Sequence, residues 1–114
     1  MQEECRLSAQ QCVPCKGGVA PLQGAALDKL RAELDGDWRV VDEHHLEKDF
    51  SFGSYPEAVD FTTKVAAVAE QQQHHPDIHL SYGKVTVQVW THKSDGLTLN
   101  DFVFAAKVDG LVSD

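Results

Sequence analysis

The chain has 114 residues, 42% of them hydrophobic and 25% charged, with ten Lys and Arg set against eighteen Asp and Glu for a formal net charge of −8. That length holds one domain with a sizeable core and excludes two. The acidic balance argues against a phosphate-backbone partner and leaves a neutral or cationic small molecule open as ligand, and no apolar run approaches the roughly 20 residues of a membrane span or the order of a signal peptide, so the expectation is a soluble, cytoplasmic protein.

The three cysteines, Cys5, Cys12 and Cys15, all lie in the first 15 residues. Cys12 and Cys15 form a C-x-x-C pair, which suits half a zinc site or a redox pair. A second C-x-x-C is absent and no βαβ unit follows, so residues 1–20 read as an irregular lead-in without a catalytic part. Gly17-Gly18-Val19-Ala20-Pro21 punctuates its end, and the folded domain is expected over 21–114.

From about 23 to 34, Leu27, Leu30 and Leu34 recur at helical spacing among charged residues and predict an amphipathic helix, stopped by Asp35-Gly36-Asp37. Residues 38–43 and about 46–52 read as two strands, the second with Leu46, Phe50 and Phe52 on one face, joined around His44-His45. That histidine doublet reads as solvated turn residues without a role.

Ser54, Pro56 and Glu57 supply a cap, a first-turn proline and an acid at the third helical position, and predict a helix to about Gln73 with Ala58, Phe61, Val65, Val68 and Ala69 buried. Its end carries Glu70 and the doublet His74-His75-Pro76. Proline disfavours the α region for the residue before it, so the helix should end around His74 or His75 and present both rings from a turn. With an unperturbed pKa of roughly 6.5, histidine both gives and takes protons near neutral pH, which makes this doublet the candidate for acid/base chemistry. If the last turn holds, Glu70 and His74 are neighbours four residues apart, and the carboxylate can orient the imidazole.

Ile78 to Tyr82 and Lys84 to His92 read as a hairpin turning at Tyr82-Gly83. Val85, Val87 and Val89 should face the helices, while Thr86, Gln88, Trp90 and His92 take the open face. Thr98 then caps a last helix from Leu99 to about Val108, with Leu99, Phe102, Val103 and Ala106 as its buried stripe and Asp101 in its first turn, where an acid is stabilising without any catalysis. The order α-β-β-α-β-β-α predicts an α+β two-layer sandwich, a four-stranded antiparallel sheet with three helices on one face. The face or edges left open invite assembly into a homo-oligomer.

Glu70, three residues, His74-His75-Pro76, five residues, Tyr82, nine residues, His92, eight residues and Asp101 together resemble the signature of the pterin-4a-carbinolamine dehydratases, with every position filled. Gly83-Lys84-Val85, Trp90-Thr91-His92, Gly96-Leu97-Thr98 and Trp38 are similar to that family as well, and the likeness runs from about Pro21 to Val108. The resemblance implies the same two-layer fold, assembled as a homodimer or homotetramer. It also implies a lyase reaction: removal of water from a 4a-hydroxytetrahydropterin to give quinonoid dihydropterin during tetrahydropterin recycling. No metal or organic cofactor is implied.

Carried onto this chain, the resemblance implies general acid/base duty for His74 and His92, pterin binding and a share in catalysis for His75, orientation of His74 by Glu70, and pocket contacts to substrate from Asp101 and Thr91. Two other readings compete. His74, His75, His79 and His92 offer nitrogens to a metal, although adjacent histidines rarely converge on one ion. Related proteins also serve as non-catalytic binding modules, either as a transcriptional dimerisation cofactor or as an assembly factor, in which case the partner is a protein.

Overall fold

The computed structural model describes residues 20–34 and 37–112. The Cys12-x-x-Cys15 pair and the stop expected at Asp35-Gly36 lie outside them. The helix α1 (Ala25–Ala32) is followed by strands β1 (Arg39–Val41) and β2 (His45–Ser51), helix α2 (Tyr55–Gln72), strands β3 (Asp77–Leu80) and β4 (Lys84–Val89), a turn of 3₁₀ helix at His92–Ser94, and helix α3 (Leu99–Asp109). Every expected element is present in the expected order.

All strand pairs are antiparallel, and the sheet order is β1-β2-β4-β3. The register sets Leu46 opposite Val89 and Phe50 opposite Val85, so the two-residue period gathers these residues and Val87 onto one face, where none is more than 6% exposed. The helices bury their apolar stripes there: Leu27 and Leu34 from the α1 region, Ala58, Phe61, Val65 and Ala69 from α2. Burying the leucine, valine and phenylalanine side chains contributes roughly 1.5–3 kcal/mol each, which is what holds the two layers together. The opposite face carries a polar ladder in which Glu47 accepts from Arg39 (2.8 Å) and Gln88 (2.7 Å), and Asp49 accepts from Thr86 (2.7 Å).

Several details differ from the sequence reading. The strand expected over 38–43 is cut to three residues because Asp42 and Glu43 both take positive φ, as the centre of a type I′ turn requires, with the His44 N–H donating to the Val41 carbonyl. Leu99 is 45% exposed, whereas Phe102, Val103, Phe104, Ala105 and Val108 are buried, since α3 packs against both α1 and α2 rather than lying on one surface. Trp90, one residue past the end of β4, is partly buried and packs against the edge of the core. Trp38, 1% exposed, donates its indole N–H to Asp109 (3.0 and 3.1 Å), and Lys48 bonds the same carboxylate at 2.8 Å, fastening the start of β1 to the end of α3. No helix among the described residues is long and apolar enough to cross a membrane.

Candidate functional site

Ser54 starts α2 by accepting the Glu57 N–H at 3.3 Å, while the Glu57 carboxylate accepts the Gly53 N–H. The helix ends earlier than Pro76 alone predicts. Gln73 turns left-handed (φ 54°, ψ 43°), and the His74 N–H then bonds back to the Ala69 carbonyl at 3.1 Å, a Schellman-type closure. This stop changes which histidine meets which acid. The helical spacing that would pair Glu70 with His74 is lost, and Glu70 instead contacts the His75 Nε2 at 2.6 Å on an exposed surface.

His74 turns inward. Its side chain is 11% exposed, and Nε2 lies 2.5 Å from Oδ1 of Asp101, whose side chain is fully buried. The other oxygen of Asp101 accepts the Thr91 hydroxyl (2.8 Å) and the Thr98 backbone N–H (2.8 Å), so the carboxylate that caps α3 also holds the imidazole. The Thr91 and Thr98 hydroxyls are themselves 2.8 Å apart, which completes the network, and no buried side-chain polar atom among the described residues lacks a partner. With Nε2–H donated to a carboxylate, the neutral tautomer of His74 keeps a lone pair on Nδ1. Protonation there yields an imidazolium that Asp101 stabilises. A neutral imidazole held in this way can act as a base.

His92 follows Thr91 directly, and Thr91 pairs with Gly96 in an isolated antiparallel bridge. The loop is held from beneath, where the Leu22 N–H donates to the Leu97 carbonyl at 2.7 Å and Pro21 sits against Gly96. His92 is therefore in the 3₁₀ turn rather than at the strand end expected for it, exposed, with its ring 4.7 Å from that of Trp90. Thus His74, Asp101 and Thr91 form one bonded cluster, His92 is tethered to it through Thr91, and the His75–Glu70 pair lies on the surface beside it. Asp101 and Thr91, expected to touch a ligand, are 0% and 3% exposed; they bond each other and Thr98, and Asp101 also bonds His74. His79 stands apart on the polar sheet face, 3.3 Å from Gln88, and among the described residues no three His, Cys, Asp or Glu side chains are arranged to hold a metal ion.

Thr98, expected only as the cap of the last helix, and Phe104, whose ring lies 6.0 Å from that of His74, were not expected at the site. A helix-capping threonine three residues before an acid is the one signal that pointed to Thr98. The His44-His45 doublet is also engaged rather than free: His44 contacts Asp95 and both rings contact Trp90.

Residues 20–111 match the family described as Pterin 4 alpha carbinolamine dehydratase. A protein of Rubrobacter xylanophilus, provisionally named a pterin-4-alpha-carbinolamine dehydratase, is 55% identical over 105 residues, spanning 92% of this chain and 97% of its own. One of Rickettsia canadensis with the same provisional name is 47% identical over 93% of this chain and 97% of its own. Among solved structures, a transcriptional coactivator/pterin dehydratase from Brucella melitensis superposes with a TM-score of 0.75 at 29% identity, covering 82% of this chain and 99% of that one. A pterin dehydratase-like RuBisCO assembly factor of the alpha-carboxysome does so with a TM-score of 0.60 at 29% identity, covering 70% and 94%.

Proposed function

The chain belongs to the pterin-4a-carbinolamine dehydratase family, and we propose that it dehydrates a 4a-hydroxytetrahydropterin to the quinonoid dihydropterin through acid/base catalysis by His74 and His92. The reaction breaks the C4a–O bond and removes the proton on N5, so that the N5 electron pair forms the C4a=N5 bond and water leaves. It needs one group to take a proton and one to give one, which a positioned pair supplies at about 10²- to 10⁴-fold.

The observation that carries this reading is the His74–Asp101 pair. A buried carboxylate with three donors is held in place before substrate arrives, and it favours the charged form of the imidazole that develops when His74 Nδ1 takes a proton. His92, exposed and next to Thr91, is the proton donor to the departing hydroxyl. His75 binds the pterin, with Glu70 fixing its ring from the surface. Asp101 and Thr91 act through His74 rather than by touching substrate.

The test is stopped-flow absorbance of 4a-hydroxytetrahydropterin decay. Wild type should accelerate the decay, EDTA should leave the rate unchanged, and His74→Ala or His92→Ala should each lower it by at least about tenfold. A folded wild type without acceleration overturns the enzyme reading. It would favour the second one, a protein-binding module, which the similarity to a RuBisCO assembly factor keeps in view.

A further inference from the structure

His92 does not sit in the bonded His74–Asp101 cluster, and nothing in that cluster sets the plane of its ring. The contacts that do so come from the β1–β2 turn. Trp90 has its ring centre 4.7 Å from that of His92, 5.1 Å from that of His44 and 5.9 Å from that of His45, so one indole touches three imidazoles. His44 is itself anchored at both nitrogens. Its Nε2 lies 3.0 Å from Oδ1 of Asp95 and its Nδ1 lies 3.1 Å from Nδ1 of His45. The carboxylate accepts from Nε2–H, so the neutral His44 tautomer has its lone pair on Nδ1 and takes a hydrogen bond from His45 Nδ1–H.

Asp95 closes the turn that carries His92. It is the left-handed C-cap (φ 50°, ψ 46°) of the 3₁₀ segment His92–Ser94, and its N–H donates to the His92 carbonyl at 3.2 Å. The turn that delivers His44 is also left-handed, at Asp42 and Glu43. Three non-glycine residues therefore hold a conformation that favours glycine, and the two turns meet through His44, which contacts Asp95 and Trp90 on either side of His92.

We propose that His44 and Trp90 are positioning residues for His92: His44 fastens the far end of the His92 turn through Asp95 and packs the indole whose surface fixes the His92 ring. The inference rests on the role given to His92 under the proposed function. A hydrogen bond to the exposed Asp95 contributes little to stability, so the effect belongs in the geometry of the reacting ring rather than in folding.

The experiment combines dehydration kinetics with proton NMR of the His92 ring, its resonances assigned by their loss in His92→Gln. His44→Ala keeps Trp90, so any change in the ring-current shift at His92 reports movement of one ring relative to the other. A displacement of order 1 Å costs up to about 10²-fold, and a smaller one should lower kcat about tenfold in His44→Ala while KM changes less than about twofold. His44→Gln, which retains a donor to Asp95, should recover part of the loss, and Trp90→Phe should retain more activity than Trp90→Leu. Wild-type kcat in folded His44→Ala, or reduced kcat with the His92 resonances unmoved, overturns the positioning role alone. A wild-type chain that does not catalyse dehydration overturns the proposed function and this role with it.

Discussion

Asp101 divides its two oxygens between a helix and a histidine, and the division sets what a substitution there does. Oδ2 accepts the Thr98 N–H and the Thr91 hydroxyl, while Oδ1 meets His74. Asp101→Asn keeps the shape but turns one acceptor into a donor and removes the charge facing the imidazole. In a fully buried position this leaves a mismatched group, so urea unfolding should show a loss of about 1–3 kcal/mol, and the dehydration rate should fall at least about tenfold in the protein that remains folded. A variant that loses stability but keeps the wild-type rate would show that Asp101 only caps α3. Glu70 gives the opposite case. Its contact with His75 joins side chains that are 73% and 54% exposed, and exposed pairs contribute about 0–1 kcal/mol. Glu70→Gln should therefore leave stability in urea unfolding almost unchanged and raise KM for the pterin while kcat stays near wild type.

At the scale of the elements, the ends rather than the middles carry the surprises. Gln73 closes α2 in a left-handed conformation that glycine adopts without strain, and its side chain also donates to the Glu70 carbonyl at 2.8 Å. Gln73→Gly should raise stability by about 0.5–1 kcal/mol in thermal or urea unfolding, less the small loss of that exposed bond. A decrease would mean that the side-chain bond, not the backbone, holds the helix end. The polar ladder on the sheet predicts a pH effect. The Gln88 amide first, then Arg39, hold the Glu47 carboxyl below its usual value of 4.5, against the opposing effect of burial. A carboxyl with a depressed folded-state pKa contributes stability that is full above its unfolded value and is lost as pH falls through the folded value. Glu47→Gln should therefore be less stable than wild type near neutrality, and the difference should shrink as pH falls below 4.5; a difference constant with pH would argue against the ladder.

These same positions mark how far the sequence was legible. Apolar periods of 3.6 and 2 identified all three helices and four strands, because burial of Phe61, Val65, Val85 and Val87 is what forms them. The left-handed stops at Asp42, Glu43, Gln73 and Asp95 left no trace, since none is the glycine that announces such a turn. That is why the acid expected beside His74 is beside His75 instead. It is also why a histidine doublet dismissed as turn residues lies against Trp90.

For the whole molecule, the sheet order decides where copies can meet. It leaves the outer edges of β1 and β3 without a strand partner among the described residues, and β1 is only three residues long. At the end of β3 several apolar side chains are exposed: Leu80, Tyr55 and Tyr82 are 37%, 47% and 73% exposed, and the two tyrosine rings stack at 6.3 Å with 8° between their planes. An open edge flanked by exposed aromatic surface is a template for pairing, so the chain should self-associate through β3. Each copy carries a net charge of −8, and like-charged copies repel. Raising salt from about 0.01 M to about 0.1 M shortens the Debye length from about 30 Å to about 10 Å and should strengthen association, the reverse of what an interface held by opposite charges would do. Sedimentation equilibrium reads both effects. Wild type should move from smaller to larger species as salt rises, and Leu80→Lys, which places a charge on the edge, should shift it back toward monomer. A wild type that stays monomeric at every salt concentration would rule out the β3 edge as a contact, while an oligomer indifferent to Leu80→Lys would place the contact elsewhere on the surface.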